Sequence, residues 1–241
     1  MRLLLCCLLL ALCAPSLAEP WQVVGDKQFA PYSYVAPDDD APLGLDVELV
    51  DAVLQAAGVD YHLRLYPWLR VKAMLERGEA TMAFQFAGTP ERRAQYRLVG
   101  PLRTGTTVFM TTSKTALEDW RQLSDLAPYR IGQVEGYAYE TAFDRAELRR
   151  DAIAQTPRQL VAMLLAGRFD VIVGDRTQLL YFARELNAEQ RVRVLPQPLV
   201  EMPRYVAFGQ EDQQRADLFA DALERLRSTG ELEAIHRRWE H

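Results

Sequence analysis

The chain contains the same local pattern twice: an amphipathic helix that ends at a glycine and leads into a strand. The first copy spans Ala73 to Gly78 and the second spans Ala162 to Gly167. A glycine just after the last turn is a common helix end, and helices that alternate with strands are typical of α/β units. We therefore predict an α/β protein built from two lobes.

Two charged residues follow predicted strands, one in each lobe. The predicted strand over residues 170–174 carries a continuous apolar run from Val171, as expected for a strand buried on both faces, and Asp175 stands at its carboxyl end. In the first lobe, Arg92 follows the strand over residues 80–86. Ligands of open α/β sheets bind beyond the carboxyl ends of the strands. A cleft with an arginine on one side and an aspartate on the other would suit a zwitterion.

The strand before Arg92 has a clear alternation. Large apolar side chains at 82, 84 and 86 share one face, so Gln85 points to the other face. Thr89 is placed to cap a short helix that contains Arg92. Apolar residues at helical spacing also predict a longer helix that Asp46 caps and Gly58 ends.

The cysteines indicate export. All three lie within the first thirteen residues, at Cys6, Cys7 and Cys13. A positive start at Arg2, an apolar stretch and small residues before the cleavage point predict a signal peptide over residues 1–18. A lipoprotein attached through Cys13 is the competing interpretation, although Leu12 stands where a small residue is usual. The mature chain is then a periplasmic protein without disulfides.

Charge and motifs exclude several functional classes. The 28 basic and 33 acidic residues give a formal net charge of −5, which disfavours nucleic-acid binding. There is no serine-hydrolase elbow, phosphate-binding loop or zincin motif, and His62, His236 and His241 lack metal-ligand spacing. We predict no metal, no cofactor and no enzymatic activity.

Local sequence alone leaves a structural alternative for each candidate. Arg92 could be a solvated arginine, and Asp175 could simply cap the helix that starts at Arg176. The remaining candidates could be core aromatics or a turn. They are Phe29, Tyr32 and Trp68, and the segment Glu135-Gly136-Tyr137.

Taken as a whole, the mature chain resembles the type-2 periplasmic solute-binding proteins, specifically the amino-acid-binding family of ABC importers (bacterial extracellular solute-binding family 3). The resemblance extends from about Trp21 to Glu240 and rests on motifs that occur in the expected order. These motifs are Phe29-Ala30-Pro31-Tyr32, Gly44-Leu45-Asp46-Val47-Glu48-Leu49, Trp68-Leu69-Arg70, Thr89-Pro90-Glu91-Arg92, Ile131-Gly132 through Gly136, the Gly167 to Asp175 segment, and Gly230-Glu231-Leu232 with Ile235 and Trp239.

The resemblance implies a two-lobed fold with a hinge and a ligand cleft between the lobes. Lobe 1 would comprise residues 19–104 and 199–241, and lobe 2 would comprise residues 105–198. The hinge crossings would lie near Gly105-Thr106 and Leu195-Pro196.

Roles for single residues are also implied by the resemblance. Arg92 matches the arginine that holds the ligand α-carboxylate by a two-pronged hydrogen bond, and Asp175 matches the carboxylate that binds the α-ammonium group. Phe29 and Trp68 match the aromatic pair around the ligand side chain. Asp26 matches a position that often touches its tip.

Some positions depart from the family pattern. Ala87 stands where the family usually has a serine hydroxyl. Gly136 matches a loop whose backbone amides help to hold the carboxylate, but Tyr137 follows it in place of a small hydroxylated residue. Arg70 adds a positive charge near the aromatic wall, which could bind a second anionic group or pair with Glu135 or Asp26.

The sequence thus predicts a monomeric periplasmic protein that captures a small zwitterion or carboxylate, a polar amino acid above all, for a membrane ABC permease. The alternative is an enzyme that resembles the exported cyclohexadienyl dehydratases on the same scaffold. Such an enzyme needs a general acid, for which Glu135 and Asp26 are the candidates.

Overall fold

The computed structural model of the protein describes residues 19–36 and 41–239. The strands are β1 (Trp21–Asp26), β2 (Gln28–Phe29), β3 (Ser33–Val35), β4 (Pro42–Leu43), β5 (Tyr61–Tyr66), β6 (Met82–Ala87), β7 (Tyr96–Thr112), β8 (Ile131–Val134), β9 (Arg150–Ala154), β10 (Val171–Asp175), β11 (Val192–Val194) and β12 (Val200–Gly209). The α-helices are α1 (Leu45–Ala57), α2 (Trp68–Glu76), α3 (Pro90–Gln95), α4 (Thr141–Arg145), α5 (Pro157–Leu165), α6 (Arg176–Glu185), α7 (Gln213–Thr229) and α8 (Glu231–Arg238).

One sequence prediction falls outside these ranges. The predicted signal peptide, residues 1–18, lies outside the described residues. Among the residues that are described, no helix combines the length and the apolar character needed to cross a bilayer.

One large mixed sheet organises the fold. Its strand order is β5-β1-β6-β12-β7-β10-β8-β9, with β11 paired to β7, while β2, β3 and β4 form a small separate sheet. β1 runs parallel to β5 and β6, and β8 runs parallel to β10 and β9. The antiparallel pair of β12 and β7 joins these two parallel groups. The predicted α/β class is confirmed.

The buried cores divide in the same way as the sheet. Two clusters draw their buried residues from positions 21–102 and 206–235, and two others draw almost all of theirs from positions 108–195. Tyr137 packs against all four clusters. The lobe boundaries drawn from the sequence stay a prediction. One proposed crossing, at Gly105-Thr106, lies inside the continuous strand β7, and the other lies between β11 and β12.

The helix ends follow the local chemistry of the sequence with one exception. Thr89 caps α3 by accepting a hydrogen bond from the Arg92 N–H, and Gly58 ends α1 in a left-handed conformation, as predicted. The prediction that Asp46 caps α1 is wrong. Gly44 holds that position, because its φ of 123° disfavours other residues and a Cβ there would collide with the Tyr32 carbonyl. Asp46 is buried inside the first turn instead.

Candidate functional site

A small cavity lies where several strands and loops meet at the carboxyl ends of β1, β6 and β8. Its free volume is about 10 Å³, room for about one water molecule. Six of the residues predicted from the sequence line it, together with Ala138 and Arg204. The six are Asp26, Phe29, Trp68, Gln85, Arg92 and Tyr137.

Arg92 reaches the cavity from the first turn of α3. Its guanidinium carbon lies 5.3 Å from the ring centroid of Trp68 and 5.2 Å from that of Phe86. Within the described residues, no carboxylate forms an ion pair with it, and Asp144 acts on it only from beyond 4.0 Å. Desolvation, together with the positive charge of Arg204, lowers the pKa of Arg92 to about 10. Arg92 is thus a partly desolvated cation without an ion pair among the described residues.

Arg204 is the functional candidate that the sequence reasoning missed. It lies on β12, directly between Ala87 of β6 and Arg103 of β7 in the sheet register. Its guanidinium carbon is 5.6 Å from the Phe29 ring centroid, and its buried Nε has no hydrogen-bond partner. Burial lowers its pKa, as does the charge of Arg103. The available signal was an arginine within a strand otherwise rich in buried apolar residues, where an unpaired charge is costly.

Arg103, by contrast, forms a buried ion pair, although its Nη1 has no hydrogen-bond partner among the described residues. Its Nε and second terminal nitrogen donate to the two carboxylate oxygens of Asp46 at 2.6 and 3.1 Å, and both side chains are buried. Its guanidinium carbon also lies 3.3 Å from the Tyr32 ring centroid. The two-pronged geometry with Asp46 is the strong form of such an ion pair. Arg103 therefore does not need a ligand to balance its charge.

Asp175 is buried but does not line the cavity. Its Oδ1 accepts hydrogen bonds from the Tyr32 hydroxyl at 2.9 Å and from the Gln178 N–H at 3.2 Å, so it caps α6. Its Oδ2 packs against Gly105 and lies 4.0 Å from an Arg103 nitrogen. The structure thus brings Tyr32 and Asp175 together beside Arg103, away from Arg92.

Asp26 is the acidic side chain of the cavity. Its Oδ1 accepts from the Gln28 N–H at 2.9 Å, and its Oδ2 accepts from the Tyr137 hydroxyl at 2.8 Å. Burial raises the pKa of Asp26 to about 6, and these two hydrogen bonds oppose the shift. Its carboxyl group therefore changes charge near neutral pH.

Gln85 fixes the backbone of Asp26. The Gln85 Oε1 accepts from the Asp26 N–H at 2.9 Å, while its Nε2 donates to Ser33 Oγ at 2.6 Å and Asp46 Oδ2 at 3.2 Å. Gln85 has a φ of 77°, an unusual value for a residue with a side chain. Strain of this kind persists where surrounding contacts over-determine it, and it clusters at binding sites.

Tyr137 fills most of the space between the cavity walls. Its ring centroid lies 5.8 Å from that of Phe29 and 6.2 Å from that of Trp68. The neighbouring carbonyl of Gly136 accepts a hydrogen bond from Trp68 Nε1 at 3.0 Å. An adjoining groove of about 330 Å³ shares Arg92, Tyr137 and Ala138 with the cavity. The free volume of the cavity is too small for an amino acid, and Tyr137 lines both the cavity and the adjoining groove.

The other predicted site residues lie outside the cavity. Arg70 is exposed, with its guanidinium carbon 4.4 Å from the Tyr66 ring centroid, and Glu135 is exposed as well. Ala87 is fully buried at the end of β6, next to Arg204. In the described part of the chain, no group of three or more acidic, histidine or cysteine side chains is arranged to hold a metal ion.

Solved structures share this fold over almost the whole chain. The arginine-, lysine-, histidine-binding protein ArtJ from the thermophilic bacterium Geobacillus stearothermophilus matches with a TM-score of 0.80 at 22% identity, covering 92% of this chain and 95% of that one. A histidine kinase sensor domain with similarity to periplasmic binding proteins gives 0.81 at 22% identity, covering 93% and 97%. A histidine-bound ABC uptake transporter substrate-binding protein from Streptococcus pneumoniae gives 0.78 at 18% identity, covering 92% of each chain.

The fold is therefore that of the two-lobed periplasmic binding proteins. Residues 22–241 match the family model of the bacterial extracellular solute-binding proteins, family 3, and the chain belongs to that family. A comparison with curated protein sequences gave no significant match.

Proposed function

We propose that the protein is a periplasmic solute-binding protein that captures an amino acid or a small carboxylate for an ABC permease. The observation that carries the proposal is Arg92, a half-buried arginine that lines the cavity and has no ion-pair partner among the described residues. A ligand carboxylate would compensate its charge through a two-pronged hydrogen bond. Two solved proteins of the same fold support this class of ligand. ArtJ is an arginine-, lysine-, histidine-binding protein, and the Streptococcus pneumoniae protein has bound histidine.

Asp26 is the best partner for a ligand ammonium group in this conformation. It lines the cavity with Arg92, whereas Asp175 does not line the cavity and its Oδ1 accepts from Tyr32 and the start of α6. The Tyr137 hydroxyl donates to Asp26 in the structure, and an ammonium N–H would take over that donor role.

Binding would proceed by separation of the two predicted lobes and closure on the ligand. Contacts that cross between them include Tyr137 with Asp26, Trp68 with Gly136, and Arg145 with Glu91 at 3.0 Å. These contacts support a closed conformation, which the ligand would stabilise further by binding it preferentially.

The test is a thermal-unfolding screen of the mature chain against amino acids and small carboxylates. A ligand present at about 100 times its dissociation constant should stabilise the protein by about 2.7 kcal/mol. Arg92→Met should abolish the shift. Arg93→Met is the matched control, because Arg93 is exposed on the same helix and stacks on Tyr205, outside the cavity. Full retention of the shift in Arg92→Met would contradict the proposed role of Arg92.

The raised pKa of Asp26 favours an enzymatic alternative. Asp26 has a pKa raised to about 6, so it holds a proton at mildly acidic pH, as a general acid must, whereas Glu135 is exposed and outside the cavity. A dehydratase of the cyclohexadienyl type would convert prephenate or arogenate to an aromatic product. Incubation with either compound and detection of that product by absorbance decides between the two functions, since a binding protein leaves both unchanged.

A further inference from the structure

The charged groups that line the cavity form an unusual set. Arg92 and Arg204 are cations, Asp26 is an acid, and every other lining residue is uncharged. Neither arginine has an ion-pair partner within 4.0 Å among the described residues, and the Nε of Arg204 is buried without any hydrogen bond. A ligand carboxylate that Arg92 holds by a two-pronged hydrogen bond turns both of its oxygens toward that group and leaves Arg204 to another anion. The cavity thus has a second cation to satisfy.

The neighbours of Arg204 explain why it remains unpaired. Asp175 and Asp46 attract Arg204 electrostatically, but neither forms an ion pair with it. Asp46 is paired with Arg103 instead, and Asp175 Oδ1 accepts from Tyr32. Arg103 sits directly beside Arg204 in the sheet and repels it. Among the described residues, therefore, no carboxylate lies within 4.0 Å of the Arg204 nitrogens.

Ala87 on the other side gives Arg204 the room to reach the cavity. Residues that pair across neighbouring strands share one face of the sheet, so Ala87, Arg204 and Arg103 stand in a row. Ala87 has no hydroxyl group to donate to a ligand. The neighbouring Arg204 has a guanidinium group with several N–H donors in one plane. Such a group binds an anion more strongly than a hydroxyl group does and with a different geometry.

From this arrangement we infer that the ligand is an acidic amino acid, whose second carboxylate is bound by Arg204. The inference rests on the proposed function and names the class of substrate for the same site. Two cations and one acid in the cavity complement two carboxylates and one ammonium group. Arg92 would hold one carboxylate, Arg204 the other, and Asp26 the ammonium group once Tyr137 has moved away.

The experiment compares ligands that differ only in that second charge. Calorimetric titration of the mature chain with L-glutamate and L-aspartate is set against L-glutamine and L-asparagine. The loss of one charge-assisted, two-pronged interaction predicts at least about tenfold weaker binding of the amides. Arg204→Met should remove the preference for the acids, while Arg93→Met, which changes a nearby exposed arginine, should retain it.

A second variant, Arg204→Lys, keeps the test valid if Arg204→Met does not fold. Arg204→Met removes an unpaired buried charge, and circular dichroism would report whether it still folds. Arg204→Lys keeps the charge but not the fork, so it should reduce the preference for acids without abolishing it. A preference that is unchanged in both variants overturns the role of Arg204.

The outcomes separate this inference from the proposed function. If the amides bind as tightly as the acids, or if only other amino acids bind and their binding requires Arg92, the acidic ligand is excluded and the binding function stands. If no amino acid or small carboxylate binds, the proposed function fails first and the inference fails with it.

Discussion

Burial changes the pH at which Asp26 gives up its proton, and this has a consequence for stability. The pKa of Asp26 rises from 3.8 to about 6 in the folded protein. Between these values the folded state holds a proton that the unfolded state has released, so the stability contributed by Asp26 is present below pH 4 and is lost as the pH rises through 6. The loss should amount to about 3 kcal/mol, from about 1.4 kcal/mol for each pH unit.

Urea unfolding of the wild type and of Asp26→Asn, from pH 4 to pH 7, measures this effect. Other carboxylates titrate equally in both proteins, so the difference between the two free energies of unfolding isolates Asp26. We expect the free energy of unfolding of the wild type, minus that of Asp26→Asn, to fall as the pH rises and to level off above about pH 6.5. Parallel profiles would show that the Asp26 pKa is not raised.

Single residues also show what sequence reasoning could reach in this chain. Arg92, Asp26, Phe29, Trp68, Gln85 and Tyr137 were predicted from strand ends and family motifs, and the structure places all of them around one cavity. The contacts of Arg204 with these residues could not be predicted, because it is far from them in sequence and belongs to no motif. Its partners are set by sheet register, which places β12 between β6 and β7, and nothing local to residues 200–209 encodes that register.

At the scale of secondary-structure elements, the first turn of α1 contains two acidic residues with different roles. Asp46 is buried against Arg103, while Glu48 pairs with Arg238 at the surface, where the two side chains are 39% and 55% exposed. Removing one member of a buried pair leaves an uncompensated charge, whereas an exposed pair contributes little. We expect Asp46→Asn to lower the free energy of unfolding by about 3–5 kcal/mol and Glu48→Gln by less than about 1 kcal/mol.

Denaturant unfolding of these two variants measures the contrast directly. They make the same chemical change two residues apart on one helix, so helix propensity and position nearly cancel. Equal losses would mean that the pair of Asp46 and Arg103 does not contribute as a buried ion pair.

Elements were easier to predict than the contacts between them. The cap at Thr89 and the end at Gly58 follow from local chemistry within a few residues, and both were predicted correctly. Asp175 caps α6, which the sequence offered as the structural alternative to a ligand-binding role. Asp46 does not cap α1, because it forms an ion pair with a residue that is distant in sequence, Arg103. Arg103 on β7 needs a buried carboxylate, and the left-handed backbone at Gly44 places the start of α1 where Asp46 can supply it.

On the scale of the whole molecule, Tyr137 links the two parts of the fold. It packs against all four hydrophobic clusters, and its hydroxyl donates to Asp26 from the other side of the predicted cleft. In the proposed complex, the ligand ammonium group takes this place on Asp26. The hydroxyl contact therefore stabilises the ligand-free closed state alone and competes with the ligand.

Tyr137→Phe removes this hydroxyl contact and keeps the ring. A hydrogen bond of this kind contributes about 1 kcal/mol, so the ratio of open to closed molecules without ligand should rise about fivefold. Ligand affinity should increase by up to the same factor, because fewer molecules are in the closed state in which the Tyr137 hydroxyl occupies Asp26. Small-angle X-ray scattering should show a larger radius of gyration for ligand-free Tyr137→Phe than for the wild type, and the same radius for both once ligand is bound.

Tyr181→Phe on α6, outside the cavity, is the control and should leave the radius of gyration and the ligand affinity unchanged. A ligand affinity that falls in Tyr137→Phe would instead show that the hydroxyl group contacts the ligand, and that Tyr137 belongs to the bound site as well as to the empty one.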